Sequence, residues 1–177
     1  QILEAGISAN LSCGGVYFGA PEDFSPETCG DCRNQAALTE EWHGAGAGQI
    51  LVDASVHGEY TSNPPLWRWM AEYAAEHRLG MHVHVSETQS EHEGSLTRWG
   101  LTPFRIQALD GCGVWDCGRS LAAHCVYTTE EDWALMAEKG ISCVHNPWSN
   151  LKLGSGVAPI PAMMRAGVNV ALGTDGM

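Results

Sequence analysis

The sequence predicts an α/β fold, a partial (β/α)8 TIM barrel of parallel strands with outer helices. Three observations predict it. Strand-like and helix-like segments alternate five or six times with short links, the pattern of a parallel sheet with helical crossovers. The polar groups His57, His84 with Glu87, His124, Asn146 and Asp175 fall at or just beyond the C-terminal ends of successive strands, the face that carries the active site in such a barrel. Finally, no glycine-rich phosphate loop follows a first strand, as a doubly wound sheet requires. Gly44-Ala-Gly46-Ala-Gly48 precedes a strand and reads as a plain loop.

In order, residues 7–11 form a short apolar-leaning strand, and 19–31, rich in Pro, Gly and acidic residues, a long surface loop. A helix over 34–42 ends in the glycine-rich 43–48, and the strand 49–56 closes on His57-Gly58-Glu59. Pro64 and Pro65 open a helix whose apolar positions Leu66, Trp69, Met70, Tyr73 and Ala74 keep helical spacing, and Gly80 ends it. In the next strand, Met81-His-Val-His-Val-Ser-Glu87, apolar and polar residues alternate, so His82, His84 and Ser86 share a face. A helix over 102–109 and a Gly/Cys-rich turn lead to the strand 121–126, which contains His124. Thr128 and Glu131 read as a capping box for the helix that runs through Lys139 to Gly140. The strand 141–145 runs into Asn146-Pro147; a helix over 161–166 precedes the strand 168–172 and its Gly173-Thr-Asp-Gly176 end. There is no linker and no solenoid repeat, so residues 1–177 read as one unit, a single piece of a catalytic barrel.

Composition narrows the function. Hydrophobic residues make up 44% of the chain, which makes it globular, and a net charge of -12 with nine Lys and Arg argues against nucleic acid and anionic membrane as partners. No apolar run spans a bilayer, and the first residues lack a signal-peptide layout. Seven cysteines, an odd number, fit a reducing compartment better than a disulfide framework, so a cytoplasmic location is expected. Both ends read as cut: the chain starts at Gln1, and its last strand stops at Gly176-Met177.

The histidine strand carries the chemistry. Imidazole suits zinc or iron, and a neighbouring carboxylate outside the ligand set can shuttle a proton. An aspartate in Gly-Thr-Asp-Gly most often caps a turn, but Asp175 shares its predicted strand-end face with His84 and His124. One imidazole and one carboxylate do not complete a catalytic zinc site. A rival pair of motifs, Cys29-Gly-Asp-Cys32 and His57-Gly-Glu59, echoes the zinc-dependent cytidine deaminases. Their order is reversed and the proline before the cysteines is missing, so chance accounts for them better; the cysteines are then free thiols in a loop.

Four ordered motifs resemble the amidohydrolase superfamily: His84-Val-Ser-Glu87, Leu121-Ala-Ala-His124-Cys-Val, His145-Asn-Pro-Trp-Ser-Asn-Leu-Lys-Leu153 and Ala171-Leu-Gly-Thr-Asp-Gly176. The resemblance is to the branch that holds S-adenosylhomocysteine and methylthioadenosine deaminases and triazine chlorohydrolases. It implies barrel strands three to eight and a metal-dependent hydrolase acting on a small heterocyclic substrate. The first implied activity is deamination of an aminopurine nucleoside of the S-adenosylhomocysteine, methylthioadenosine or adenosine type, and the alternative a triazine- or guanine-type amidohydrolase or chlorohydrolase. One divalent metal is implied, Zn2+ first and Fe2+ second, held by His84 from strand five and Asp175 from strand eight. Glu87 would move protons and meet the substrate, as would His124, which orients the attacking water; Asp175 would share in that catalysis and His57 in substrate binding. Two departures stand out. Nothing before Ile7 supplies the family's strand-one His-x-His, and Cys13 stands where a substrate-holding arginine often follows strand three. An N-terminal segment or a second copy is therefore expected to complete the site, and without one the chain is an inert scaffold fragment.

Overall fold

Val52, Ala54, Val56, Met81, Val83, Val85 and Ala122 are fully buried, which requires strands covered on both faces, as in parallel sheets with helical crossovers. The computed structural model describes residues 1–109 and 112–176. It holds two parallel sheets: β1 (Ala9–Leu11) with β2 (Ile50–Val52), and β3 (Ala54–Val56), β4 (Met81–Val85), β5 (Ser120–His124), β6 (Ser142–His145) and β7 (Asn169–Leu172) in sequential order. β2 and β3 are the single strand expected over 49–56, which changes neighbour at Asp53. Gly15 bridges to Val56, so the chain after β1 continues beside β3. The result is a six-strand-wide parallel ribbon with helices packed on it, part of a barrel that does not close among the described residues.

The helices are α1 (Gly30–Trp42), the single distorted turn α2 (Ala45–Gly48), α3 (Pro64–His77), α4 (Gln89–Trp99), α5 (Pro103–Ala108), α6 (Glu130–Lys139), α7 (Pro147–Lys152) and α8 (Ile160–Arg165). None among the described residues is long and apolar enough to cross a membrane. On α3, Asn63 caps Leu66 N–H at 3.3 Å and the two prolines fill the first turn. The buried face is Leu66, Trp67, Met70, Ala71 and Ala74; Trp69 and Tyr73, expected in it, flank it and stack on each other with ring centroids 5.0 Å apart.

Several boundaries differ from expectation. α3 ends at His77 on a left-handed Arg78, not at Gly80. Gly80 serves another purpose: a Cβ there would lie 2.0 Å from the Arg119 carbonyl oxygen and 2.7 Å from Asp53 Oδ1. The cap of α6 falls one residue later than expected, on Thr129 and Asp132, while Thr128 accepts the Trp133 indole N–H at 2.9 Å. α1 starts at Gly30, so Cys29 and Cys32 are buried at the head of a helix and do not lie in a loop. The segment 89–99 carries no apolar periodicity, yet it forms α4, because Thr88 caps its start and Trp99 and Arg98 anchor its end.

The N-terminal side of the sheet holds a buried polar knot. Asp53, 1% exposed, accepts from Gly80 N–H at 2.9 Å, Arg119 at 2.6 Å and the Asn10 amide. Every partner is a donor, so the buried charge is answered on all sides.

Candidate functional site at the C-terminal strand ends

On β4, alternation puts Met81, Val83 and Val85 in the core and leaves His82 and His84 half-buried on the other face. Ser86 does not continue this pattern as expected; it turns left-handed at φ +48° and is fully buried. The His84 ring faces the His57 carbonyl oxygen, 2.6 Å from Nδ1. A carbonyl only accepts, so Nδ1 carries the proton and Nε2 keeps its lone pair. Burial, reinforced by His124, His57 and His82, pushes the His84 pKa down to about 4 against the pull of that carbonyl, and the ring is neutral near pH 7. His57 follows β3; its backbone N–H donates to Gly15 O at 2.9 Å, Nδ1 lies 2.9 Å from the Thr61 hydroxyl, and its ring centroid is 4.8 Å from that of His84.

Register sets the next residue: Val85 pairs with His124, so the end of β5 lies beside the end of β4. His124 is buried, its ring centroid 5.3 Å from that of His84. Its Nδ1 lies 2.8 Å from Asn150 Oδ1 on α7, which places the proton on Nδ1 and the lone pair on Nε2. That Nε2 faces Glu87 Oε2 at 3.8 Å and Asp175 Oδ2 at 3.6 Å. Burial raises the Asp175 pKa, but the Gly176 N–H, the Ser149 hydroxyl, His124 and His84 outweigh it and hold the carboxyl below its ordinary value. Asp175 reaches this point because Gly173 admits the Asn146 amide: a Cβ there would lie 2.3 Å from Asn146 Oδ1.

The structure thus brings His57, His84, Glu87, His124 and Asp175 together at one end of the ribbon. Asn146 is buried at the same end, packed against Gly173. The backbone there is strained: of six non-glycine residues with positive φ among the described residues, Ser86, His124, Cys125 and Asp175 are four. Such strain collects where a site dictates geometry. Two contributors escape a sequence reading. Asn150 sits unremarked inside the His145–Leu153 motif, and Glu91, last in the Thr88-Gln-Ser-Glu91 sequence that has the pattern of a capping box, closes the turn that carries Glu87. Burial pushes the Glu91 carboxyl up to about 7, against the hydrogen bonds from the Glu87 and Ser86 N–H groups. Glu59, half of the rival motif, is buried and held by Arg98 Nε at 3.1 Å and the Trp99 indole at 2.6 Å, which leaves it no role in proton transfer.

What this end can bind follows from its donors. His124 Nε2 presents a lone pair to the carboxylates of Asp175 and Glu87, and the neutral His84 ring lies beside it, an arrangement that a cation satisfies. Neutral imidazole with carboxylate oxygen suits Zn2+. The count is short: among the described residues no group of three or more His, Cys, Asp and Glu side chains has metal-binding spacing. These residues therefore fit a zinc site in kind and supply only part of it.

Comparison with known proteins agrees with this fold. The chain is 40% and 42% identical to 5-methylthioadenosine/S-adenosylhomocysteine deaminases of Dictyoglomus thermophilum and Moorella thermoacetica, over 175 and 177 residues. Each match covers 99% of this chain and 39% of the relative, so the chain spans about two fifths of their length. An adenosine deaminase from Xanthomonas campestris with bound zinc superposes at TM-score 0.82 and 30% identity, over 99% of this chain and 38% of that one. An atrazine chlorohydrolase from Arthrobacter aurescens complexed with zinc shares the fold at TM-score 0.82 and 24% identity, over 99% of this chain and 39% of that one. The model of the amidohydrolase family matches residues 7–177, so the strand-end histidines and carboxylates stand on a family scaffold: the chain belongs to the amidohydrolase family.

Proposed function

We propose that residues 1–177 are one piece of the catalytic barrel of a zinc-dependent hydrolytic deaminase acting on an aminopurine nucleoside. The observation that carries this is the convergence of His84, Glu87, His124 and Asp175 at the C-terminal ends of β4, β5 and β7. His84 Nε2 and the Asp175 carboxylate would hold the metal, with the remaining ligands supplied from outside these residues. When bound, a divalent metal supplies Lewis-acid polarisation and activation of water at neutral pH.

The chain's own residues do the rest. His124, fixed by Asn150, presents a lone pair to the attacking water and orients it toward the ring carbon that bears the amine. Glu87 takes a proton from that water and delivers it to the ring nitrogen; it then takes the second proton from the newly added hydroxyl and passes it to the amino group, which leaves as ammonia while the C=O bond forms. Asp175 faces His124 and keeps the developing charge balanced. His57, packed on His84 and braced by Thr61, borders the substrate. Deaminase relatives at about 40% identity favour the aminopurine nucleosides over triazine or guanine rings.

The setting belongs to the same proposal. The seven free thiols support a reducing, cytoplasmic environment, and the outer sides of β1 and β7, which meet no further strand among the described residues, support completion by further strands or a second copy. The test is ammonia release from a panel of adenosine, methylthioadenosine and S-adenosylhomocysteine by the full-length, zinc-loaded protein. Stoichiometric zinc retained on dialysis with turnover of one of these is the expected result. No turnover of any aminopurine would overturn the reading, and absence of retained zinc would leave the inert scaffold in its place.

A further inference from the structure

Glu87 hangs on a turn that its own sequence does not favour. Ser86 leaves β4 at φ +48°, a left-handed conformation disfavoured for any residue with a Cβ. Two contacts fix the peptide plane that joins Ser86 to Glu87. Its carbonyl oxygen accepts from Tyr127 N–H at 3.0 Å, and its N–H donates to Glu91 Oε2 at 2.7 Å. The preceding N–H, that of Ser86, donates to Glu91 Oε1 at 2.8 Å. Glu91 is 4% exposed, so both oxygens are committed inside the protein.

The capping box of α6 is an internal control. At α6, Asp132 Oδ2 accepts from the N–H of its own cap residue Thr129 at 2.8 Å, while Oδ1 accepts from the Thr102 hydroxyl at 2.6 Å. That is what a helix start requires. Glu91 reaches further back along the chain, past the cap residue Thr88 to Glu87 and Ser86, which capping alone does not demand. The two acceptor oxygens matter as well. Glutamine offers one acceptor and one NH2 group, so Glu91→Gln must leave one of the two N–H groups facing a donor.

The geometry points to Glu91 as a positioning residue that clamps the Ser86–Glu87 backbone and so holds the Glu87 carboxylate opposite His124 Nε2. The role rests on the deamination proposed above. Glu91 meets neither metal nor substrate; it acts through Glu87 alone.

The experiment compares wild type, Glu91→Gln, Glu87→Gln and the double variant in the full-length, zinc-loaded enzyme, assayed on the alkaline side of neutrality so that Glu91 is ionised. Glu91→Gln is expected to retain zinc and KM and to lose roughly 10²-fold in kcat, the scale of a misplaced catalytic group. The double variant is expected to turn over no slower than Glu87→Gln alone, because the two act in series. Amide hydrogen exchange supplies a readout independent of turnover: protection at Ser86 and Glu87 should fall in Glu91→Gln while β5 stays protected. If Glu91→Gln folds poorly, Ser86→Gly in the same background relieves the left-handed strain; it should restore thermal stability without restoring kcat. Unchanged exchange at Ser86 and Glu87, normal kcat per folded molecule, or losses that add in the double variant would each overturn the inference. A wild type inert on every aminopurine refutes the deaminase reading instead, and exchange then decides the clamp by itself.

Discussion

The two ends of the sheet hold buried polar clusters of opposite design. Around Asp53, on the N-terminal side, every neighbour is a donor: a backbone N–H, a guanidinium and an amide. Around His124, on the C-terminal side, the Nε2 lone pair of one imidazole faces two carboxylates, Asp175 at 3.6 Å and Glu87 at 3.8 Å, with the His84 ring beside it. The first cluster is complete in itself and lowers the energy of the fold. The second is unfinished electrostatically, and its backbone is strained at His124 and Cys125. A protein tolerates such an arrangement where a ligand completes it.

The largest expected effect breaks the second cluster outright. His84→Ala removes a neutral imidazole donor, so zinc content and turnover should fall together, beyond the roughly 10–100-fold typical of losing a residue behind a ligand. Metal analysis alongside kinetics checks it; full zinc occupancy in the variant would remove His84 from the ligand set. Glu87→Gln comes next. It keeps shape and hydrogen bonding but cannot carry a proton, so turnover should fall roughly 10²–10⁴-fold with zinc retained and the melting temperature unchanged. A variant with normal turnover and lowered stability would make Glu87 a packing residue.

Smaller effects sharpen the contrast. Asn150→Ala frees the His124 ring and leaves its Nδ1–H unpaired, and a loss of about 10–100-fold in kcat is expected. Asn150→Asp, which still accepts that proton, should retain more activity than the alanine variant. Arg119→Ala tests the other end of the sheet. It strips one donor from buried Asp53 while two remain, at a cost of about 1–3 kcal/mol in unfolding free energy. Turnover per folded molecule should not change. If it did, the separation between a stabilising end and a reacting end would be false.

Much of this was legible from residue types alone. Short apolar runs bounded by Gly and Pro mark all six strand positions, and the polar residues closing these runs mark the end of the ribbon where the polar side chains gather. His57, His84, Glu87, His124 and Asp175 are found this way because each sits at the end of a recognisable strand. What stays hidden depends on partners distant in sequence. α4 has only Glu91 and Ser95 fully in the interior, so no apolar stripe announces it. Glu91 and Asn150 look like an ordinary cap and an ordinary loop amide until the fold brings Ser86 and His124 to them. Trp67 displaces Trp69 from the buried face of α3 because its indole N–H finds Ser62 Oγ at 2.6 Å, a partner that helical spacing does not reveal.

The Asp53 knot also bears on the order in which the molecule assembles. Its contacts join residues 43, 27 and 66 positions apart. Closing loops of that size costs entropy before any contact rewards it. Asp53 can meet Asn10, Gly80 and Arg119 only when β1, β3, β4 and β5 already lie side by side, so the knot forms late on the path to the native state. Weakening it with Arg119→Ala should then leave the refolding rate nearly unchanged and speed unfolding, making these few polar atoms a latch on kinetic lifetime as well as a source of equilibrium stability.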